Sequence, residues 1–133
     1  MAKILVFGVR AEELAKIKRA AGNIKLRVEE VPLILYRQEM GVLSEAKLLS
    51  LSESVQLGER EGIYEGSPIP ESLIFMCGLS EKQLDKLLLA LGQSEVKVDY
   101  KAVLTAENAR WNVLRLLAEL GREKAIYGQG LKP

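Results

Sequence analysis

One side chain in this sequence is a ready nucleophile, and it stands alone. Cys77 is the only cysteine among 133 residues, and there is no histidine to activate it. Catalysis that needs an imidazole base, and most zinc sites, lose their usual participant, so no metal and no cofactor is expected. A lone cysteine also precludes an intrachain disulfide, which agrees with a reducing compartment. Cys77 lies between the apolar run 73–76 and Gly78, where a strand would hand over to a helix. A thiol aimed at that helix N-terminus would have a lowered pKa and would suit a cysteine-dependent redox or transfer enzyme. Its counterpart in the first half of the chain is Phe7, which favours packing. Glu59, Glu61, Glu65 and Glu71 are strung along a Gly- and Pro-containing stretch and read as solvation rather than paired acid and base.

Two short segments have the chemistry to hold an anion. Gly8-Val9-Arg10 and Gly78-Leu79-Ser80 each join a strand to a helix, where unpaired N–H groups and the helix dipole favour negative charge. Arg10 adds a positive charge and Ser80 a hydroxyl. The plainer reading is that both glycines permit tight turns. Tyr36, Gln38 and Gly41 either line a binding surface or clamp the start of a long insertion. Thr105 reads as a helix cap, Asn108 as a ligand contact or a brace for that turn, and Trp111 as an anchor whose N–H needs a partner.

The elements that position these residues follow from a repeat. Residues 4–28 lie without a gap over 74–98: Ile4 meets Ile74, Gly8 meets Gly78, Leu14 meets Leu84, Gly22 meets Gly92 and Val28 meets Val98. Each copy has a continuous apolar run, a stretch of helical spacing ending at glycine, and an alternating run. The second copy adds the capping box Ser80–Gln83, and its alternating strand is expected from Val96. A dry first strand and a half-wet second strand predict an α+β, ferredoxin-like βαββαβ sandwich with an antiparallel sheet and both helices on one face. Its central strands are expected to be parallel neighbours, so that both helix N-termini open side by side. The alternative is a four-stranded parallel doubly wound α/β sheet, using a helix over Ser44–Val55 as a further crossover.

One domain over 1–133 is expected: repeat one 3–31, insertion 33–71, repeat two 72–104 and a C-terminal helix 105–126. On that helix the apolar residues from Trp111 to Leu120 spread over more than half the circumference. A single packing surface needs a stripe of only about 100°. A second chain is one candidate for the remainder, and the expectation is a homodimer through Trp111, Leu114 and Leu117.

Nineteen basic residues against eighteen acidic ones leave a net charge of +1, with 48% hydrophobic residues. Neither nucleic acid nor an anionic membrane has compositional support as a partner. The apolar run Ile4–Val9 is too short to span a bilayer and lacks a signal-peptide cleavage site, so a cytoplasmic protein is expected.

The motif Lys101-Ala102-Val103-Leu104-Thr105 with Asn108 and Trp111, together with Tyr36-Arg37-Gln38 and Met76-Cys77-Gly78, resembles a family of short bacterial proteins known only as a domain of unknown function. That resemblance implies no activity, substrate or cofactor. The residues taken together point to a non-catalytic module that binds a small anion or a protein partner, with a regulatory role among the expectations.

Overall fold

The computed structural model describes residues 2–46 and 60–128, with side chains to residue 125. In chain order the elements are β1 (Lys3–Phe7), α1 (Ala11–Gly22), β2 (Arg27–Glu30), a 3-10 turn (Leu33–Leu35) and α2 (Met40–Glu45). There follow β3 (Leu73–Cys77), α3 (Glu81–Gln93), β4 (Tyr100–Val103), a second 3-10 turn (Asn108–Arg110) and α4 (Val113–Gly128).

The four strands form one sheet in the order β2-β1-β3-β4. β1 pairs parallel with β2, and β3 parallel with β4, while the two central strands run antiparallel. The dry strands are in the middle and the others at the edges, as their patterning requires. The pairing is otherwise a correction. In a ferredoxin-like sandwich another strand splits each β-α-β unit, whereas here each edge strand lies directly beside the first strand of its own unit. The order β2-β1-β3-β4 around an antiparallel central pair departs from the expected sandwich, whose central strands are parallel, and from the fully parallel doubly wound alternative. Each unit closes on itself because a single helix suffices for a parallel crossover.

Leu5 lies opposite Phe75, the residue 70 positions on. An approximate two-fold axis normal to the sheet therefore passes between them, keeping α1 and α3 on one face but sending the two strand-to-helix turns to opposite ends. The backbone follows the same relation. Gly8 and Gly78 have φ of 63° and 68°, and Lys25 and Glu95 have φ of 57° and 53°. Left-handed φ is costly for a residue with a Cβ, and in both turns it falls at positions 70 residues apart.

Alternation along the central strands divides the core into two layers. Ile4, Val6, Ile74 and Met76 meet Ile17, Ala20 and Ala21 of α1 and Leu87 and Leu91 of α3. Leu5, Phe7, Leu73, Phe75 and Cys77 face the other way, onto Leu35, Tyr36, Met40 and Leu43 of the insertion and Val113, Leu116 and Leu117 of α4. The insertion is thus partly core, in addition to being a connection. Its later part is largely exposed over 60–70, as its Gly, Glu and Pro content predicts. The expected helix over Ser44–Val55 falls mostly on 47–59, outside the described residues; α2 ends at Glu45.

Two boundaries differ from expectation because partners far along the chain take backbone groups that a regular element would use. β4 begins at Tyr100 rather than Val96: the Lys97 N–H donates to the Glu13 carboxylate at 2.6 Å, and the Asp99 N–H to Ser72 Oγ at 2.9 Å. The last helix begins at Val113 rather than Ala106, because the Met40 N–H donates to the Trp111 carbonyl at 2.8 Å. Asn112 then caps the new start, its Oδ1 accepting the Arg115 N–H at 2.9 Å.

Candidate functional site

The antiparallel centre of the sheet separates the two turns proposed to share an anion. Gly8 and Arg10 lie at one end, Gly78 and Ser80 at the other, so the joint pocket expected from parallel central strands does not exist. Each end has its own cleft, and the two differ in what they leave open.

At the first end a cleft of about 410 Å3 is lined by Gly8, Arg10, Pro70, Ser72, Lys97, Val98 and Asp99. Arg10 occupies the N-cap position of α1, and no side chain caps the helix there. Its guanidinium is exposed and loosely paired with Glu12 at 3.5 Å. The Asp99 carboxylate is occupied by Ser72, accepting from its N–H at 2.8 Å and from its hydroxyl at 3.1 Å. Gly8 cannot be replaced without cost, since a Cβ would come within 2.9 Å of the Glu71 carbonyl.

At the second end a cleft of about 320 Å3 is lined by Asn23, Ile24, Lys25, Ser80, Lys82, Gln83 and Lys86. Three ammonium groups gather here, but the helix start is already satisfied. Ser80 Oγ accepts the Gln83 N–H at 3.1 Å and Gln83 Oε1 accepts the Ser80 N–H at 2.9 Å, the capping box read from the sequence.

Cys77 is buried in the apolar layer opposite the α1/α3 face. Burial pushes its thiol up to about 11, with the Lys3 ammonium only partly opposing the shift. It is directly opposite Lys3 across the central pair. Lys3 is itself 4% exposed, its Nζ donating to Glu29 Oε1 at 2.8 Å and to the Ala46 carbonyl at 2.6 Å. Sequence reading missed this ion pair, although a lysine opening an otherwise apolar strand was the available signal.

Tyr36 and Gln38 clamp the insertion against the body. The Tyr36 ring packs edge-on against Phe7 at 5.6 Å and next to Tyr64 at 6.0 Å. Its phenol is pushed up by burial, with the Gly8 backbone opposing the shift. Gln38 Nε2 donates to the Gly62 carbonyl at 3.2 Å. Gly41 allows α2 to approach the second 3-10 turn, where a Cβ would sit 3.0 Å from the Ala109 carbonyl.

Asn108 braces its turn. Its Oδ1 accepts the Thr105 N–H at 2.8 Å, its N–H donates to Thr105 Oγ1 at 3.1 Å, and its Nδ2 donates to the Val103 carbonyl at 2.9 Å. Trp111, Leu114 and Leu117, named for a dimer interface, pack on the sheet within the same chain. The Arg115 guanidinium stacks over the Trp111 ring at 4.6 Å. No group of carboxylates or Cys77 among the described residues has the arrangement of a metal site. No helix of the described residues is long and apolar enough to cross a membrane.

A family profile described as "Domain of unknown function (DUF3783)" matches residues 72–127, that is, the second β-α-β unit and nearly all of α4. No curated protein and no solved structure matches the chain.

Proposed function

We propose that this chain is a non-catalytic module that binds a small anion at the N-terminus of α1. The observation that carries the reading is an asymmetry: α3 is closed by its own capping box, whereas α1 has no capping side chain and opens beside Arg10 and Lys97. An oxyanion there would accept from backbone N–H groups that nothing else caps and would meet two cations. The cysteine-enzyme alternative loses support from the burial of Cys77 and its raised pKa.

The test is thermal unfolding with and without inorganic phosphate. At ten times its dissociation constant, phosphate adds about 1.4 kcal/mol of stability, a rise of a few degrees in Tm. The rise should shrink in Arg10→Ala and Lys97→Ala and persist in Lys82→Ala and Lys86→Ala. Loss of the rise in the Lys82 and Lys86 variants alone would move the site to the other cleft. Equal melting with and without phosphate would end the anion reading.

A second reading, association with another copy of the chain, is favoured by Leu88, Leu89 and Val103, which are 40%, 63% and 42% exposed. It replaces the expected interface at Trp111, Leu114 and Leu117. Sedimentation of wild type and Leu89→Glu at micromolar concentration decides it, a monomer in both being the result against it.

A further inference from the structure

A third cleft, of about 280 Å3, lies between α4 and the turn that follows β4. Its floor is apolar, with Ala102, Leu116 and Leu120 beside the chain's single tryptophan, Trp111. Its rim is acidic: Glu107, Glu119 and Glu123 line it, and no lysine or arginine does. Glu119 has an ion pair with Arg122 at 3.5 Å, while Glu107 and Glu123 have no ion-pair partner among the described residues. Asn108 also lines the cleft, but its amide is committed to Thr105 and Val103. Every lining residue falls within the segment 72–127 that the family profile matches. The clefts at the two ends of the sheet draw residues from outside that segment.

An apolar trough edged by carboxylates is complementary to a side chain with a hydrocarbon stem and a cationic head. The tryptophan has the right chemistry as well, since one of its faces already carries the Arg115 guanidinium. We propose that this groove docks a basic peptide segment of a partner protein, a lysine or arginine side chain lying along Leu116 and Leu120 with its head among Glu107, Glu119 and Glu123.

Trp111 reports on the groove directly, so the experiment is a fluorescence titration of the full chain. The probe is the amidated, acetylated pentapeptide Lys-Leu-Lys-Leu-Lys, compared with Glu-Leu-Glu-Leu-Glu and with spermidine. The expected result is a saturable change in tryptophan emission with the basic peptide only. Binding should weaken about five- to tenfold in the Glu119→Gln/Glu123→Gln double variant, two exposed charge contacts being lost, and should be unaltered in Glu81→Gln, on the far helix. Three outcomes would overturn the proposal: no saturable change, equal binding by the double variant, or the same response to spermidine or the acidic peptide.

Discussion

Lys3 and Glu29 form a buried ion pair at 2.8 Å, with side chains 5% and 7% exposed, on a sheet face otherwise packed with hydrocarbon. The pair joins the central strand to the edge strand β2, and the Ala46 carbonyl ties the end of α2 to the same ammonium. Two charges taken out of water offset much of their own attraction, so such a pair adds little net stability, yet breaking it leaves an uncompensated charge.

The two single substitutions should therefore be unequal. Glu29→Leu leaves the Lys3 ammonium, among the described residues, with the Ala46 carbonyl alone and should cost about 3–5 kcal/mol. Lys3→Met should cost less, because the Arg27 guanidinium, 3.4 Å from Glu29 Oε2, remains to pair with the carboxylate. The double variant should recover most of the loss. Urea unfolding of the three variants checks this ordering, and additive losses would refute it.

Glu13 makes the fold sensitive to acid. Its carboxylate accepts the Lys97 N–H, which bridges the two units, and this bond holds its pKa below the usual 4.5, with Lys16 assisting at 3.5 Å. A depressed folded-state pKa contributes stability that is present above the unfolded carboxylate value and is lost as pH falls from there through the folded value. Wild type should lose more stability than Glu13→Gln between neutral pH and about pH 3. Urea midpoints at the two pH values measure the difference, and parallel losses would count against the linkage.

Cys77 gives the opposite dependence. Burial raises its pKa to about 11 from 9.0. Folding thus disfavours the thiolate, leaving stability untouched below the unfolded value and lowering it as pH rises from about 9 towards 11. Alkylation by iodoacetamide near neutral pH should proceed only as fast as the chain opens, and sub-denaturing urea should accelerate it. Rapid stoichiometric modification of the native protein would restore the enzyme reading.

Much of this architecture was legible in the residues, and its omissions have physical causes. The apolar runs at Lys3 and Leu73 marked the central strands because a strand buried on both faces has no polar alternation. The Ser80–Gln83 box was readable because a cap is a local interaction between residues three apart. Strand direction was not readable: parallel and antiparallel neighbours bury the same side chains, and only the path of the insertion decides between them. With direction went the shared pocket. The displaced starts of β4 and α4 arise from bonds that Glu13 and Met40 make to residues far along the chain, which no local pattern carries. Arg10 at the α1 cap was visible in the sequence, but its meaning depended on the cleft beside it.

Asn108 serves both the turn and the edge of the sheet. The Tyr100 and Leu104 N–H groups donate to the Ser72 and Met76 carbonyls of the neighbouring segment. By alternation in a parallel ladder, Lys101 and Val103 direct their backbone groups away from β3. The outward Val103 carbonyl is the one that Asn108 Nδ2 covers, so the amide closes part of an edge that another strand would otherwise extend. Asn108→Ala frees the Thr105 N–H and the Val103 carbonyl together and should cost about 2–3 kcal/mol. Asn108→Asp keeps an acceptor for the Thr105 N–H but offers the Val103 carbonyl no donor. Its loss of stability measures the edge bond separately from the turn. If edge protection matters, both variants should self-associate more than wild type in sedimentation at raised concentration. Variants that unfold more easily yet sediment like wild type would restrict Asn108 to bracing the turn.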